Sequence, residues 1–304
     1  MKRENKLYIA VLLTCFNRKD KTCACLHHLH EALKVYNDKH AEVSLSIEVF
    51  LVDDGCTDGT ASAVQSAFED VHVIQGTGSL FWAGGMRLAW SEAYKRHSEW
   101  SFYLLLNDDT NIFPEAFSLL IQTHLYSMEH YRISGVYTGA TCAKDDKSRC
   151  TYGGDVWINR IKGTTRRLSP SGTPQMCDVA NANIMLVESS VVDKIGMLCK
   201  DYQHSLADYD YAIRARKAGI PVLLTSDYCG VCDNDHVDSK ELAERICSMS
   251  LGERRRYFKH PVHSSCDYLR FIRNTSIIRW PMVWVGRMFN LYFPRFYYKL
   301  SGIR

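Results

Sequence analysis

The sequence predicts an α/β fold built on a doubly wound, mostly parallel sheet. In its first half, short apolar runs alternate with stretches of helical periodicity, and three of these runs end in polar clusters. A strand–helix–strand order favours parallel strands joined by right-handed crossovers. Ligands of such sheets bind at the carboxyl ends of the strands. The polar clusters are therefore expected to form one site.

The predicted strands are short and continuously apolar, as strands buried on both faces should be. They cover residues 8–14, 47–52, 71–74 and 102–106, followed by a strand region over 178–187 and a short strand over 222–225. Helical spacing predicts helices over 19–36, 60–68, 86–97 and 208–218, and a further helix that begins at Pro114. The Gly-, Ser- and Pro-containing segment 162–174 is predicted to be a loop.

The composition is that of an ordinary globular protein, with 304 residues of which 46% are hydrophobic and 23% charged. It excludes a disordered chain and a coiled coil. No run reaches the roughly 18 apolar residues of a transmembrane helix. Because no secretion signal follows Met1, the twelve cysteines are predicted to be reduced thiols of a cytoplasmic protein.

The net charge of +3 is unevenly distributed. Residues 254–304 contain eleven Lys or Arg and a single acid, Asp267. A strongly basic segment indicates an anionic partner, which can be a membrane surface, a phosphorylated substrate or a nucleic acid. Residues 269–304 also contain nine aromatic side chains, and this mixture favours a segment lying on anionic lipid. A packed C-terminal subdomain or an oligomer contact are the alternatives.

The cluster Asn107-Asp108-Asp109 follows the apolar run at 102–106. Carboxylates repel a nucleotide diphosphate unless a divalent cation lies between them, and hard oxygen ligands suit Mg²⁺ or Mn²⁺. Such a metal also stabilises charge on a leaving diphosphate. By itself, the cluster fits a turn at a strand end as well.

Two further segments carry candidate ligands of a nucleotide. Asp53 and Asp54 close a buried strand, where they are expected to accept hydrogen bonds from a base or a ribose. Gly84 and Gly85 are predicted to precede a helix, so that backbone N–H groups face an anion, and Arg87 would add a cation. The segment lacks the Gly-Lys-Ser/Thr ending of a phosphate loop, and a flexible loop with buried aromatics is the alternative.

Four segments resemble, in order, successive motifs of the family 2 glycosyltransferases: residues 14–18, 52–60, 79–86 and 106–110. The form of residues 81–85 is similar to the rhamnosyltransferase-like and galactofuranosyltransferase-like branches. The resemblance implies the GT-A fold over residues 1–236, with a nucleotide-binding half over about 1–112 and an acceptor half over about 113–236. A helical, basic extension would follow over 237–304.

The resemblance also implies roles for individual residues. Those expected to bind the nucleotide-sugar are Thr14, Phe16, Asn17, Arg18, Asp53, Asp54, Gly84, Gly85, Arg87, Asn107 and Asp108. Asp109 corresponds to the last acid of the family's Asp-x-Asp motif and is the expected metal ligand, with His236 as its partner. Asn107 stands where the first Asp of that motif often lies, and Arg87 stands where many relatives have Asn.

Residues 204–214 resemble the acceptor-site segment of the family, in which Asp208 corresponds to the catalytic base. A base of this kind takes the proton of an acceptor hydroxyl as its oxygen attacks C1 of the sugar, which inverts the anomeric centre. Trp82, His204 and Asp210 are expected to contact the acceptor. Two structural alternatives remain open: Asp208 as a helix N-cap and an ion pair between Asp210 and Arg214.

The sequence thus predicts an inverting, metal-dependent glycosyltransferase that moves a hexosyl or deoxyhexosyl group from a UDP- or dTDP-sugar. The expected acceptor is a polysaccharide or lipid-linked oligosaccharide of a bacterial envelope, reached from the inner face of the cell membrane. Nucleic acid is not expected, because no known module is present. A sugar nucleotidyltransferase is disfavoured because no glycine follows the first strand. A zinc- or anion-binding module, with Cys229 and Cys232 as half of a zinc site, is the non-enzymatic alternative.

Overall fold

The computed structural model describes residues 5–96, 99–233, 238–263 and 265–302. The strands are Asn5–Cys15 (β1), Val43–Asp53 (β2), Val71–Gln75 (β3), Phe102–Leu106 (β4), Asn111–Ile112 (β5), Val136–Cys142 (β6), Cys150–Tyr152 (β7), Gly154–Asn159 (β8), Thr164–Arg167 (β9), Gln175–Met176 (β10), Val179–Ala180 (β11), Ile184–Glu188 (β12) and Val222–Val231 (β13). The α-helices are Lys19–Lys39 (α1), Thr60–Ala67 (α2), Phe81–Arg96 (α3), Ala116–Tyr131 (α4), Ser189–Ile195 (α5), Ala207–Lys217 (α6), Ser239–Ser248 (α7), Leu251–Lys259 (α8), Ser265–Thr275 (α9), Trp280–Tyr292 (α10) and Pro294–Leu300 (α11).

The central sheet has ten strands, eight of them in the order β10-β13-β6-β12-β4-β1-β2-β3, with β5 on β13 and β7 on β6. Strands β4, β1, β2 and β3 are parallel neighbours, and β13 is parallel to β6. Strand β12 lies antiparallel between β4 and β6. One edge of the sheet therefore collects the carboxyl ends of β1, β2, β4, β6 and β13 and the amino end of β12. The predicted α/β class with a mostly parallel sheet is confirmed.

Both faces of the sheet are covered, as the continuously apolar strands predict. On β1, Ile9, Val11 and Leu13 pack into a cluster with side chains of α1, α2 and α4. The alternate residues Ala10 and Leu12 belong to a second cluster, which includes side chains of α3, α6 and α9. The doubly wound architecture follows from this alternation, because successive side chains of a strand point to opposite faces.

Helix α3 begins at Phe81, five residues before the predicted start. The predicted helix start is therefore wrong. Only the first four N–H groups of a helix lack an internal partner, so Gly85, the fifth residue of α3, lies too far into the helix to present its N–H to an anion. Gly84 is the fourth residue, and its contact with an anion stays a prediction. Gly85 instead permits close packing: a Cβ at this position would overlap Oγ1 of Thr14 and lie 2.7 Å from Thr14 Cβ.

We expect the substitution Gly85→Ala to lower the free energy of unfolding. Thr14 is buried at the end of β1 and cannot swing aside, and overpacking of this kind typically costs about 1–3 kcal/mol. The matched control is Gly252→Ala in α8, where an added Cβ meets nothing within 4 Å and the better helix propensity of alanine raises stability by up to about 1 kcal/mol. Urea denaturation measures both effects, and equal shifts for the two variants would contradict the packing argument.

The second half contains elements that the sequence did not predict, among them β8, β9, β10 and α5. A small three-stranded sheet has the order β11-β8-β9, and β9 falls inside the segment that was predicted to be a loop. The strand is short, basic and half-exposed, so it carries no apolar run. It exists because it pairs antiparallel with β8.

The C-terminal helices pack in two different ways. Phe271 and Ile272 of α9 belong to the same buried cluster as the central sheet. Helices α7 and α11 contribute Ala243, Ile246 and Tyr298 to a separate small cluster. Within the described residues, no helix has both the length and the apolar character needed to span a bilayer.

Candidate active site

The edge of the sheet brings together the clusters that follow β1 and β4. The Arg18 guanidinium reaches across, with Nη1 at 2.7 Å from Oδ2 of Asp109 and 3.3 Å from Oδ1 of Asp108. Asn17, which has a left-handed backbone conformation, accepts the N–H of Thr57 at 2.7 Å and so links the first cluster to the loop after β2. The three predicted strand-end clusters therefore form one site.

The two acids of this site differ in their surroundings. Asp108 is buried and accepts a hydrogen bond from the Thr22 hydroxyl at 3.3 Å. Burial raises the pKa of Asp108 to about 6, against the lowering effect of Arg18. The Asp109 side chain is 19% exposed and lines a cleft of about 280 Å³ together with Asp20, Lys144 and Asp233. Asp109 is therefore the acid that a metal ion can reach.

The donor set at Asp109 fits a hard divalent cation. Mg²⁺ and similar ions are often held by one or two carboxylates, with waters and substrate phosphates completing the shell. Asp109 offers one such carboxylate on an open cleft. Its expected partner His236 lies outside the described residues, so the pairing stays a prediction.

A second group of side chains also comes within metal-binding distance. Among the described residues, Cys15, Asp53 and Cys56 converge at the ends of β1 and β2, with the two sulfurs 3.8 Å apart. Burial raises the pKa of both thiols, so a metal ion would have to displace their protons on binding. Hard cations such as Mg²⁺ prefer oxygen ligands, so this group does not suit the cation expected at Asp109.

Asp53 and Asp54 shape the loops beside the site. Asp54 accepts the N–H groups of Gly78 at 2.8 Å, Leu80 at 2.9 Å and Phe81 at 3.0 Å. Asp53 accepts the N–H of Cys56 at 2.7 Å. Both carboxylates are buried, so they fix the backbone around the site. Their predicted contact with a nucleoside stays a prediction.

Trp82 and Phe16 flank the predicted metal motif, Asn107-Asp108-Asp109. The Trp82 indole donates from Nε1 to Oδ1 of Asn107 at 2.7 Å, which holds the first residue of the motif in place. Phe16, directly after β1, is 57% exposed. An exposed ring at this edge offers an apolar face to a planar ligand.

Arg87 braces the loop before α6. Its Nη1 donates to the carbonyl oxygens of Cys199 at 3.0 Å and Tyr202 at 2.8 Å, and burial lowers the pKa of its guanidinium. These bonds give Arg87 a structural role, and its predicted contact with the nucleotide-sugar stays a prediction. The sequence could not show this, because the loop lies more than 110 positions further along the chain.

Asp267 of α9 holds the same loop from the other side, and sequence reasoning did not select it as a site residue. Its carboxylate accepts the backbone N–H groups of Gln203 at 3.2 Å, His204 at 2.8 Å and Ser205 at 3.1 Å. It is 2% exposed. The signal in the sequence is that Asp267 is the single acid of the basic segment 254–304.

Asp208 lies in the first turn of α6. The N-cap of this helix is Leu206, with φ of +65°, so the N-cap alternative for Asp208 is wrong. Its Oδ2 accepts the N–H of Ala182 at 3.1 Å, and Oδ1 accepts that of Tyr209 at 2.9 Å. Burial raises the pKa of Asp208 to about 6. A carboxylate with such a pKa is suited to accept a proton near neutral pH.

Asp210 and His204, two predicted acceptor contacts near Asp208, have different surroundings. Asp210 is buried and bonded to Arg214 at 2.9 Å and to the Tyr202 hydroxyl at 3.2 Å, which confirms the predicted ion pair and turns Asp210 away from an acceptor. His204 is partly buried, and burial lowers its imidazole pKa, so its ring is neutral at pH 7. The expected contact between His204 and an acceptor stays a prediction.

The zinc alternative is wrong for Cys229 and Cys232. Cys229 lies in β13 and points into the cluster beneath α4, where burial raises the pKa of its thiol to about 12. Cys232 follows the strand and accepts a hydrogen bond from Asn183 at 3.3 Å. Residues three apart along an extended chain point to opposite faces, so the two sulfurs do not converge.

Comparisons with known proteins agree with this geometry. The family model described as Glycosyl transferase family 2 matches residues 10–184. No curated protein matches this sequence. Two solved structures resemble the fold. One is the mannosyltransferase PcManGT from Pyrobaculum calidifontis in complex with GDP-Man and Mn²⁺, with TM-score 0.50, 12% identity, and coverage of 97% of this chain and 83% of that chain. The other is S. aureus TarS 1-349 in complex with UDP, with TM-score 0.52, 15% identity, and coverage of 90% and 73%.

Proposed function

Because the chain belongs to glycosyl transferase family 2 and has the GT-A fold, we propose that it is an inverting, metal-dependent enzyme. It transfers a hexosyl or deoxyhexosyl group from a UDP- or dTDP-sugar to a polysaccharide or lipid-linked oligosaccharide of a bacterial envelope. The branch of the family remains the rhamnosyltransferase-like or galactofuranosyltransferase-like one that the motif at residues 81–85 indicates. Support for the reaction comes from the way the backbone connects two acids, Asp109 and Asp208.

The metal motif and the catalytic base are joined by one strand pair. Ala182, whose N–H bonds to Asp208, precedes Asn183, and the carbonyl of Asn183 accepts the N–H of Asn107 at 3.1 Å. Strands β4 and β12 continue this pairing from Leu106 and Ile184. This observation carries the proposal, because it connects Asp208 through the backbone to the cluster that contains Asp109.

The residues divide the reaction between them. Asp208 accepts the proton of the acceptor hydroxyl while that oxygen forms its bond to C1 and the bond from C1 to the diphosphate breaks. Attack from the side opposite the leaving group inverts the anomeric centre. Asp109 would hold the divalent cation, whose positive charge would stabilise the leaving diphosphate when it is bound. Arg18, which already contacts Asp108 and Asp109, lies where it can donate to the same diphosphate.

The nucleoside would lie across the ends of β1 and β2. The exposed Phe16 ring offers a stacking surface for a base, and Asn17 and Asp53 lie beside it. Mn²⁺ or Mg²⁺ suits the oxygen ligand of Asp109. The two structural neighbours, which carry GDP-Man with Mn²⁺ and UDP in their own sites, support a nucleotide donor of this kind.

The C-terminal helices would bring the enzyme to a membrane. Ile278, Met282, Phe293, Phe296 and Leu300 are all strongly exposed on a segment whose excess charge is positive. Exposed apolar side chains among arginines bind the interface of anionic bilayers. We therefore place the enzyme in the cytoplasm, peripheral to the inner face of the cell membrane.

A thermal-shift panel of nucleotides tests the proposal. UDP or dTDP with Mn²⁺ at about 100 times its Kd is expected to stabilise the fold by about 2.7 kcal/mol, which corresponds to a rise in Tm of about 3–5 °C. The same nucleotide with EDTA and the monophosphate with Mn²⁺ serve as controls, since each lacks one half of the metal bridge. Stabilisation by nucleoside triphosphates but not by diphosphates would favour a nucleotidyltransferase instead.

A further inference from the structure

A basic pocket lies on the acceptor side of the fold, away from the metal motif. It has a volume of about 350 Å³ and opens between the β8–β9 hairpin, the end of α6 and the 3₁₀ helix Ile277–Arg279. Four cations line it: Arg160, Arg216, Lys217 and Arg279. The pocket also contains Asp178 and the indole of Trp157. A cavity with four cations and one acid attracts an anion.

The hydrogen-bond and ion-pair partners of these cations do not balance their positive charge. Arg160 pairs with Asp178 at 3.1 Å, and Asp178 also accepts the N–H of Trp157 at 2.9 Å. Arg216 contacts only a neutral sulfur, that of Met176, at 3.0 Å in the described structure. Arg279 donates from Nη2 to the Lys162 carbonyl at 3.0 Å, while its Nε is buried with no partner among the described residues. A buried donor without an acceptor favours a ligand that supplies one.

The pocket is connected to the catalytic base by one face of α6. Tyr209, Ile213 and Arg216 follow the helical spacing of four and three residues and so share that face. Eight residues separate Asp208 from Arg216, which corresponds to about 12 Å along the helix axis. The pocket therefore lies at the C-terminal end of the helix whose first turn carries Asp208.

Exposed apolar side chains stand at the mouth of the pocket. Ile277 is 65% exposed and Ile278 is 90% exposed, and both lie between the pocket residues Ser276 and Arg279. Phosphate-binding cations directly beside exposed isoleucines match the headgroup and the hydrocarbon of a lipid phosphate, since cations bind the headgroup and apolar residues enter the acyl boundary. A free soluble anion would make no use of the isoleucines.

We propose that this pocket binds the phosphate or diphosphate of a membrane-anchored acceptor, and thereby sets how far the accepting hydroxyl lies from Asp208. The proposal rests on the proposed function for the presence of an acceptor. The binding of an anion by Arg216 and Arg279 does not depend on transfer and is tested separately. The shared chemistry is a phosphate ester, with inorganic pyrophosphate as its soluble form.

The first test is calorimetric titration of the full-length protein with inorganic pyrophosphate in EDTA, which removes metal-dependent binding at Asp109. The double variant Arg216→Ala/Arg279→Ala is expected to weaken binding by at least about tenfold, because two charge-assisted hydrogen bonds are lost. The control is Arg295→Ala, which removes an exposed arginine of α11 outside the pocket and should leave the affinity unchanged. Equal affinities for all three proteins would overturn the anion site.

The second test separates a lipid from a soluble anion. Neutral phosphatidylcholine vesicles doped with a polyprenyl phosphate should bind the wild-type protein and lose most of that binding with Arg216→Ala/Arg279→Ala but not with Arg295→Ala. Phosphatidylglycerol vesicles should respond to each removed charge alike, since their attraction is not site-specific. Pyrophosphate binding without any dependence of vesicle binding on the pocket arginines would overturn the membrane-anchored ligand.

The nucleotide panel distinguishes this proposal from the function on which it rests. The double variant Arg216→Ala/Arg279→Ala should keep the full stabilisation by UDP or dTDP with Mn²⁺, because the pocket lies away from the metal motif. If nucleotides failed to stabilise the wild-type protein while pyrophosphate still bound through Arg216 and Arg279, the transferase proposal would fail and the anion site would stand.

Discussion

The substitution Asp208→Asn is expected to lower the rate of sugar transfer by about 10²–10⁴-fold, the usual contribution of a positioned proton acceptor. The amide keeps the shape of the side chain but cannot accept the proton of the attacking hydroxyl. Binding of the nucleotide with Mn²⁺ should change little, because Asp208 lies on the acceptor side of the strand pair. The measurement is nucleoside diphosphate released in the presence of the acceptor that the wild-type protein uses.

A matched control for this variant is Asp201→Asn, in the same loop region. Asp201 is half-exposed and lies 3.6 Å from Arg273, so its loss should leave turnover within about twofold, as expected for a surface pair of small energy. Normal transfer by Asp208→Asn would remove Asp208 from the mechanism. A parallel fall in nucleotide binding would show that Asp208 acts through the fold rather than on the proton.

The pH dependence of transfer provides a second readout of the same carboxyl group. Burial raises the pKa of Asp208 to about 6, and the catalytic base acts only when deprotonated. The rate is therefore expected to be low below pH 5, to rise as the pH increases through about 6, and to level off above about 7. This rising limb should be absent from the residual activity of Asp208→Asn.

The substitution Asp109→Asn is expected to weaken Mn²⁺-dependent nucleotide binding by about 100-fold. Loss of an outer-shell partner alone typically lowers metal affinity by 10–100-fold, and Asp109 is the proposed direct ligand. Its amide retains a weak oxygen donor but not the charge that balances the cation. Isothermal titration with UDP or dTDP, with and without Mn²⁺, measures the difference.

Two results would show whether Asp109 acts as a metal ligand or only through its negative charge. The control Asp145→Asn removes an exposed acid that pairs with Arg149 at 2.5 Å, and it should bind nucleotide like the wild-type protein. Metal-independent binding in EDTA should be no weaker in Asp109→Asn, because the variant also removes an anion from the path of the diphosphate. If Asp109→Asn kept its full response to Mn²⁺, the metal would have to be held elsewhere.

Asp267 shows how the basic C-terminal segment contributes to the site. The three N–H groups that it accepts belong to the loop that leads into α6 and Asp208. Phe271 and Ile272, on the same helix, are buried in the core of the central sheet. The segment therefore helps to position Asp208, the proposed catalytic base, in addition to any contact that its exposed face makes with a membrane.

The sequence by itself determined the order of the strands and helices from β1 to β4, because burial on both faces demands continuous apolar runs and each run is local. It also determined the polar clusters at 14–18, 53–54 and 107–109, since parallel strands place their carboxyl ends at one edge whatever the details of packing. The composition singled out Asp267 as the one acid of the basic segment, but it did not show which N–H groups this carboxylate binds.

The tertiary structure decided what each polar group does with its hydrogen bonds. Arg87 binds carbonyl oxygens of the loop at 199–202, and Asp54 binds N–H groups of the loop at 78–81. Gly85 packs on Thr14 inside α3 rather than facing an anion. These partners are distant in sequence, and a side chain's local pattern does not specify which distant donor or acceptor reaches it. Burial likewise separates Asp108 from Asp109, two adjacent carboxylates that look equivalent in the sequence.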